Sequence, residues 1–571
     1  MKYSKKNACS LFVRADAGGF TGTGHVMRML ALAQAYQRRG GKVTFICAQL
    51  PDTLEERLVQ EGCEVIRIAA KSGSQEDARA TLAVVQGAGS SSQPSTSSAS
   101  LREGTRPRGQ GAGVGSEEQN PPSSIHHSPL PLDKDSTTPN TWLVVDGYHF
   151  GFDYQKAIKA SGLSLLCTDD FGYSERWCCD AILNQNLDAE KSFIYDNEIA
   201  DSQALLGASF CLFREEFLEE KEISSEWGAI HRLLITLGGS DPENATEATL
   251  RLLTQACERP LEIRVLAGAD NPHIESLRTF TSQHSIEVIQ NARNMPEQYA
   301  WADGIISAGG STCWEWLYLG LPGAIVTIAD NQLPIVHALT EERKAALPLG
   351  WFNSDEFKDK NTQLSAWADD PGSVCCRDQA QSLIDGNGAD RVITSLLLDR
   401  LFFRRACIAD VNKTWEWAND SLSRKMSFTQ NEIEFQEHLT WWTKQLANCC
   451  SWIRIIEDGD HFEPCGIVRF ELFKTEGYAV ISINIDPNAR GKGYGLSAIS
   501  EGTKLYGLCS SVSKIHAYIR PKNLASLKAF EKAGYHIAGT EQIKSQDAIC
   551  MIFDCLDTPQ TPVTSEEKRY E

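Results

Sequence analysis

Three glycine-rich turns each stand where an apolar run gives way to a helical pattern, so each can turn backbone N–H groups toward an anion. The first reads FTGTGHVMR from Phe20 to Arg28 and carries a histidine, His25, directly after Gly22 and Gly24. A phosphate loop explains the glycines and leaves the imidazole unexplained; a neutral imidazole with pKa near 6.5 takes a proton at neutral pH. The second reads SAGGSTCWEW, with Gly309, Gly310, Ser311 and Thr312 at a helix start and Glu315 one turn on, within reach of ribose hydroxyls. Asn331 and Gln332 follow in ADNQ, after the next strand. The third reads INIDPNARGKGYGLSAI, in which Arg490, Gly491, Lys492, Gly493, Tyr494 and Gly495 form R-G-x-G-x-G. Consecutive N–H groups at such a turn hold a pyrophosphate, assisted by the helix dipole.

The elements that position these turns are legible as a rhythm. From residue 8 to about 86, LFVRA, KVTFICA and EVIRIA are strands, separated by the helical HVMRMLALAQAYQRRG and DTLEERLVQEG. Short β-branched runs between amphipathic helices predict parallel βαβ units. Residues 87–140, rich in Ser, Pro and Gly, bury too little apolar surface to offset ordering entropy and are expected to be a disordered insertion. TWLVVDGYHF resumes the strands, with LSLLCTDD and CDAILNQN after it. A second α/β series starts at HRLLITLGGSDPEN and is expected to close with a helix near residue 400. Beyond 403 the character changes: a helical opening, WEWANDSLSRKM, precedes the strands WIRII, CGIVRFELF and YAVISINIDP, which implies a separate α+β domain. The domains expected are therefore 1–205, 206–400 and 401–557, with a polar tail at 558–571.

Bulk properties exclude several functions. A formal net charge of -20 argues against a nucleic-acid or acidic-membrane surface. No apolar run reaches the ~18 residues of a membrane span, and Arg14 and Asp16 interrupt the first apolar run too early for a secretory signal. A cytoplasmic location follows as the expectation. The 18 cysteines lack any C-x-x-C spacing, and Cys47, Cys167 and Cys211 sit in strand-like runs, so core thiols and no metal site are expected. A dinucleotide G-x-G-x-x-G would need glycine at Met27 and an acid closing the next strand, and neither is present. Oligomeric state leaves no mark in the sequence.

The R-G-x-G-x-G turn after a strand meander resembles the Gcn5-related N-acetyltransferase (GNAT) fold. Asn523, Ser526 and Phe530 stand as N-x-x-S-x-x-x-F before E-K-A-G-Y, similar to that family's second landmark. The resemblance implies acetyl-coenzyme A as acetyl donor, its pyrophosphate on residues 490–495 and its arm at Asn523. The family's usual tyrosine, a proposed acid for the departing thiolate, is Phe530 here, so another group or water must serve. Glu471 is a candidate base, and equally a solvated strand end.

The two α/β series resemble the GT-B glycosyltransferase architecture, with a nucleotide sugar held by Gly309–Thr312, Glu315 and the ADNQ loop. RADAGGFTGTGHVMRMLALA, the D-G-Y at 146–148, LLGASFCLFREEF, LGGSDPEN, AGGSTCWE and ADNQ together resemble the UDP-sugar hydrolase family of pseudaminic acid biosynthesis. That family removes UDP from a 2,4-diacetamido-2,4,6-trideoxy-β-L-altropyranose. The resemblance implies His25 as catalytic base, with Arg14, Asp16, Gly24, Tyr148, Gly309, Gly310, Ser311, Thr312, Glu315, Asn331 and Gln332 on the UDP-sugar. The W-E-W-x-N-D opening (Trp415, Trp417, Asn419, Asp420), with Arg424, Ser427, Phe428, His438 and Trp441, resembles the acetyltransferase of the same pathway. These side chains fit substrate contact and core packing equally well. The expected whole is an α/β chain: two Rossmann-like domains in GT-B arrangement, then a GNAT domain, acting as a bifunctional nucleotide-sugar enzyme. A glycosyltransferase fused to an acetyltransferase, or a sugar-binding module serving one, are the alternatives.

Overall fold

The computed structural model describes residues 10–18, 23–88, 141–191, 195, 202–219, 227–238, 241–268, 271–292, 294–376, 380, 383–397, 401–448, 450–459, 461–475, 477–510 and 512–555. Gly22, most of the expected insertion (89–140) and the tail from 556 lie outside the described residues.

The first sheet contains β1 (Ser10–Ala15), β2 (Lys42–Cys47), β3 (Glu64–Arg67), β4 (Trp142–Asp146), β5 (Ser164–Thr168), β6 (Ala181–Asn184) and β7 (Gln203–Leu206). All neighbours are parallel, in the order β3-β2-β1-β4-β5-β6-β7. β4 pairs with β1 in register Leu11↔Trp142 to Ala15↔Asp146, so the sheet resumes directly beyond residue 140. Both faces are covered, and the strands accordingly read as continuous apolar runs. Leu11, Val13 and Val144 pack to one side, Phe12, Leu143 and Val145 to the other.

The second sheet contains β8 (Arg232–Thr236), β9 (Glu262–Ala267), β10 (Ser285–Gln290), β11 (Gly304–Ala308), β12 (Gly323–Thr327) and β13 (Ala346–Trp351). It is parallel in the order β10-β9-β8-β11-β12-β13. In both sheets the strand order reverses beside the first strand, and ligands of such folds bind outside the carboxyl ends there. His25 follows β1 and Asp146 ends β4, the two strands at the first reversal. Gly309–Thr312 follow β11, which pairs with β8 at the second.

The helix expected to close the second domain behaves differently. Gly388–Leu397 inserts Ala389, Val392, Ile393 and Leu396 into the core beneath the first sheet, and the Leu396 carbonyl accepts from Trp142 Nε1 at 2.9 Å. The chain thus crosses back to the first sheet before its last domain, so this helix packs with the first unit and not the second, while Leu401 already belongs to a separate core.

The third sheet contains β14 (Leu401–Arg405), β15 (Ser451–Asp458), β16 (Pro464–Phe473), β17 (Tyr478–Ile485), β18 (Lys514–Ile519), β19 (His536–Ile543) and β20 (Gln546–Asp554), ordered β14-β15-β16-β17-β18-β20-β19. β17 and β18 are its parallel pair, and they pair over Tyr478, Ala479 and Val480. From Ile481 onward β17 stays paired with β16 while its ladder with β18 has ended, so the sheet opens there. The glycine turn at 490–495 follows that opening.

Candidate functional site

His25 lies in the first turn of the helix Gly24–Arg38, facing the end of β4. Its Nδ1 is 2.8 Å from Asp146 Oδ1. Asp146 is fully buried and also accepts from Arg28 Nε (2.9 Å), Arg28 Nη2 (2.6 Å) and Thr168 Oγ1 (2.7 Å). Burial by itself would raise this carboxyl; the Arg28 charge and the His25 hydrogen bond outweigh it and hold it well below the usual range. An ionised carboxylate only accepts, so Nδ1 donates and Nε2 is left as the basic nitrogen. Burial opposes charging of the His25 ring, yet the hydrogen bond and charge of Asp146 prevail and raise its pKa.

Tyr148 completes this cluster. Its ring stands edge-on to His25 at 5.0 Å, and its hydroxyl donates to Asp170 at 2.8 Å. Asp170 in turn accepts from Arg28 Nη1 at 2.6 Å. Arg28, at i+3 from His25 on one helix face, therefore ties both carboxylates together. The sequence gives no role to Thr168, Arg28 or Asp170, and it shows Asp146 only as the first residue of the D-G-Y motif. The signals present were strand-final acids, in VVD and TDD, and an arginine one turn after the histidine.

Arg14 and Asp16 are placed differently from the substrate contacts expected of them. Arg14 is fully buried, with Nε and Nη2 on Asp77 (2.9 and 2.8 Å) and Nη1 on Asp16 (2.7 Å). Asp16 accepts further bonds from Ala48 N, Gln49 N and Ser72 Oγ. Burial would raise Asp16; the His149 ring 3.5 Å away and the hydrogen bonds of Arg14 and Ser72 lower it far more. These charges tie the end of β1 to the segments after β2 and β3. Gly73 packs against the segment after β4, because a Cβ there would stand 2.1 Å from the His149 carbonyl oxygen.

In the second sheet, the Gly310 N–H is taken by Ala308 O at 2.9 Å, which removes one of the expected phosphate donors. Gly309 is needed for packing: a Cβ would meet Val336 Cγ2 at 2.5 Å, whereas Gly310 faces open space. Ser311 is exposed, Thr312 half-buried, and the helix they start, Thr312–Tyr318, is two turns long. Glu315 accepts from Tyr299 Oη at 2.8 Å and lies 3.5 Å from Arg214 Nη2; burial raises its carboxyl. Gln332 Oε1 accepts from Ile328 N at 3.0 Å and shapes the turn on which Asn331 is exposed.

In the third sheet, Gly491 and Gly493 adopt φ of +80° and +86°, the left-handed backbone that favours glycine. Gly491, Lys492 and Gly493 are exposed, and Tyr494 and Gly495 begin the helix Tyr494–Cys509. This backbone fits a pyrophosphate cradle. Arg490 turns away from the loop: Nε donates to Ile485 O (3.0 Å), Nη1 to Asp420 (2.7 Å) and Nη2 to Ser423 Oγ (2.9 Å). Asn523 caps the helix Leu524–Lys532, its Oδ1 accepting from Ser526 N at 3.2 Å, which leaves its NH2 for a ligand. Phe530 is buried against Tyr535. The aromatic opening is largely structural. Trp417 and His438 are buried, Trp415 Nε1 and Asn419 both bond Ile433, and Arg424 serves backbone carbonyls. Trp441 alone of that tryptophan–histidine set is exposed.

Cys47, Cys167 and Cys211 are free and buried. Among the described residues no cluster of three or more His, Cys, Asp or Glu is arranged to hold a metal ion, and no helix is long and apolar enough to cross a membrane.

Residues 400–536 match the acetyltransferase (GNAT) domain, and residues 233–346 match the glycosyltransferase family 28 C-terminal domain. The chain thus joins a nucleotide-sugar glycosyltransferase-like unit to a GNAT acetyltransferase. It is 22% identical over 418 residues to an uncharacterized protein, MJ1062, of Methanocaldococcus jannaschii, covering 69% of this chain and 81% of that one. It is 25% identical over 192 residues to the UDP-2,4-diacetamido-2,4,6-trideoxy-beta-L-altropyranose hydrolase of Campylobacter jejuni, covering 33% of this chain and 67% of the hydrolase. The spore coat polysaccharide biosynthesis protein SpsG of Bacillus subtilis is 24% identical over 200 residues, 34% of this chain and 56% of SpsG. Among solved structures, aminoglycoside acetyltransferase AAC(6')-Ib with coenzyme A aligns to 27% of this chain and 94% of its own, at 20% identity and TM-score 0.25.

Proposed function

We propose that the chain catalyses two consecutive steps on a nucleotide sugar. The C-terminal domain acetylates the 4-amino group of a UDP-linked 4-amino-4,6-dideoxy-N-acetyl-β-L-altrosamine, and the N-terminal pair then hydrolyses the UDP-diacetamido sugar. The observation that carries the hydrolytic half is the buried Asp146 carboxylate locking the His25 tautomer beside the first strand-order reversal. Nε2 of His25 takes a proton from water, and the oxygen attacks the anomeric carbon opposite UDP, so the configuration inverts. Tyr148 flanks the imidazole and lines the sugar site together with Asn331. The diphosphate leaves toward the Gly309–Thr312 turn, with Ser311 and Thr312 as its side-chain donors.

For acetyl transfer, acetyl-coenzyme A supplies the activated thioester. The glycine turn 491–495 holds its pyrophosphate, Asn523 its arm, and Arg490 keeps the turn fixed on Asp420 and Ser423. Phe530, buried and apolar, gives no proton to the leaving thiolate.

Mass spectrometry of the products from the UDP-4-amino sugar and acetyl-coenzyme A tests the sequence of steps. The expected products are free diacetamido sugar, UDP and coenzyme A; an acetylated sugar that remains UDP-linked would refute the hydrolytic half. The match to a glycosyltransferase domain favours one second reading, sugar transfer to an acceptor. Acceptor-dependent UDP release would support that reading.

A further inference from the structure

The acetyltransferase sheet carries a cation that its own chain pairs poorly. Val468 and Phe470 of β16 enter the core against the helix Tyr494–Cys509, so Arg469 and Glu471 stand on the opposite face. Arg469 is mostly buried, at 23% exposure. Its Nε reaches Ser482 Oγ at 3.3 Å, and its ion pair with Glu471 is long, at 3.7 Å. Burial lowers its pKa, with Glu471 offering the opposing charge. The guanidinium carbon lies 5.3 Å from the ring centre of Trp441, a residue 37% exposed. Ser482 lies two residues beyond Val480, where the β17–β18 ladder has ended. Arg469, Ser482 and Trp441 therefore flank the opening whose far end is the glycine turn.

The chemistry of this face selects its ligand. A planar guanidinium withdrawn from water matches phosphate oxygens in a fork, and an exposed indole offers a platform for a base. A polycationic acceptor would meet Arg469 with like charge, and a neutral sugar would leave it under-paired. We propose that Trp441, Arg469 and Ser482 bind the nucleoside diphosphate of the acetyl acceptor, with Arg469 on the diphosphate and Trp441 against the base. This assignment rests on the reading of the acceptor as a nucleotide-linked amino sugar.

The test measures coenzyme A release by the full-length protein, with two acceptors: the UDP-linked amino sugar and the same sugar freed of UDP. The wild type should favour the UDP-linked form. Arg469→Gln should lower kcat/KM for that form by about ten- to a hundredfold, through KM. The free sugar's kcat/KM and the KM for acetyl-coenzyme A should be unchanged, which also shows that the variant is folded. Arg469→Lys should restore part of the loss. Equal use of both sugars by the wild type, a retained preference in Arg469→Gln, or preferential acetylation of spermidine would overturn the assignment. If neither sugar accepts acetyl, the proposed acetylation itself fails, and this assignment with it.

Discussion

The His25 imidazole has a defined tautomer because Asp146 accepts from its Nδ1, and Asp146 stays ionised because the Arg28 charge and the His25 hydrogen bond outweigh its burial. His25→Ala should lower UDP release by about 10²–10⁴-fold, the usual contribution of a positioned base, with UDP binding retained. The pKa of His25 is raised in the fold. Its basic form therefore accumulates only above that value, and UDP release should climb with pH along a limb lying above 6.5. Asp146→Asn should move this limb to lower pH and reduce the plateau, as read from the pH profile of kcat/KM. By linkage, the stability contributed by the His25–Asp146 pair is full below the unfolded histidine pKa and lost as pH rises through the folded one. The sequence shows His25 because its neighbours in the chain form the motif. It conceals the pairing with Asp146, since 121 residues separate the partners and only the β1–β4 pairing brings them together. Arg14 misleads for the converse reason: its position beside the motif says nothing of its burial, which commits it to Asp77 and Asp16.

Among the elements, the turn between β17 and the helix Tyr494–Cys509 depends most on its glycines. Gly493 sits at φ +86° as the N-cap of that helix. Gly493→Ala should raise the KM for acetyl-coenzyme A and cost about 1–2 kcal/mol in unfolding experiments, while leaving UDP release intact. A matching loss of UDP release would show that the turn supports the whole chain instead. The parallel strands of both Rossmann-like sheets were legible because buried β-branched runs alternate with amphipathic helices. Other elements were less so. The periodicity of Gly388–Leu397 marks an apolar face without saying which sheet covers it, and the structure gives it to the first. The β19–β20 hairpin turns at Lys544 and Ser545, both with positive φ, and lacks the Asn-Gly signal that such turns usually show. β14, LFFRR, at the other edge of the same sheet, is a short run between two helical stretches and is not among the strands read from the sequence.

At the scale of the molecule, buried charge joins the acetyltransferase to the rest. Arg391, on the helix that crosses back, donates to Ser209 O, Asp385 and Glu457. Glu457 on β15 is shared with Arg404 of β14, which also grips Asp410. Removing one partner from such a buried set is strongly destabilising, so Glu457→Leu should cost about 3–5 kcal/mol. Acetyl transfer and UDP release should then lose heat resistance together; hydrolysis that survives heating as in the wild type would show the two halves to be independent. Hydrolysis of a UDP-linked sugar by the N-terminal pair through His25, as proposed, is tested by UDP release from the UDP-diacetamido sugar in water with no acceptor present. Multiple turnovers giving one UDP and one free sugar per substrate are expected, slowed by about 10²–10⁴-fold in His25→Ala. Release that needs an added sugar acceptor, or that persists undiminished in His25→Ala, would contradict it.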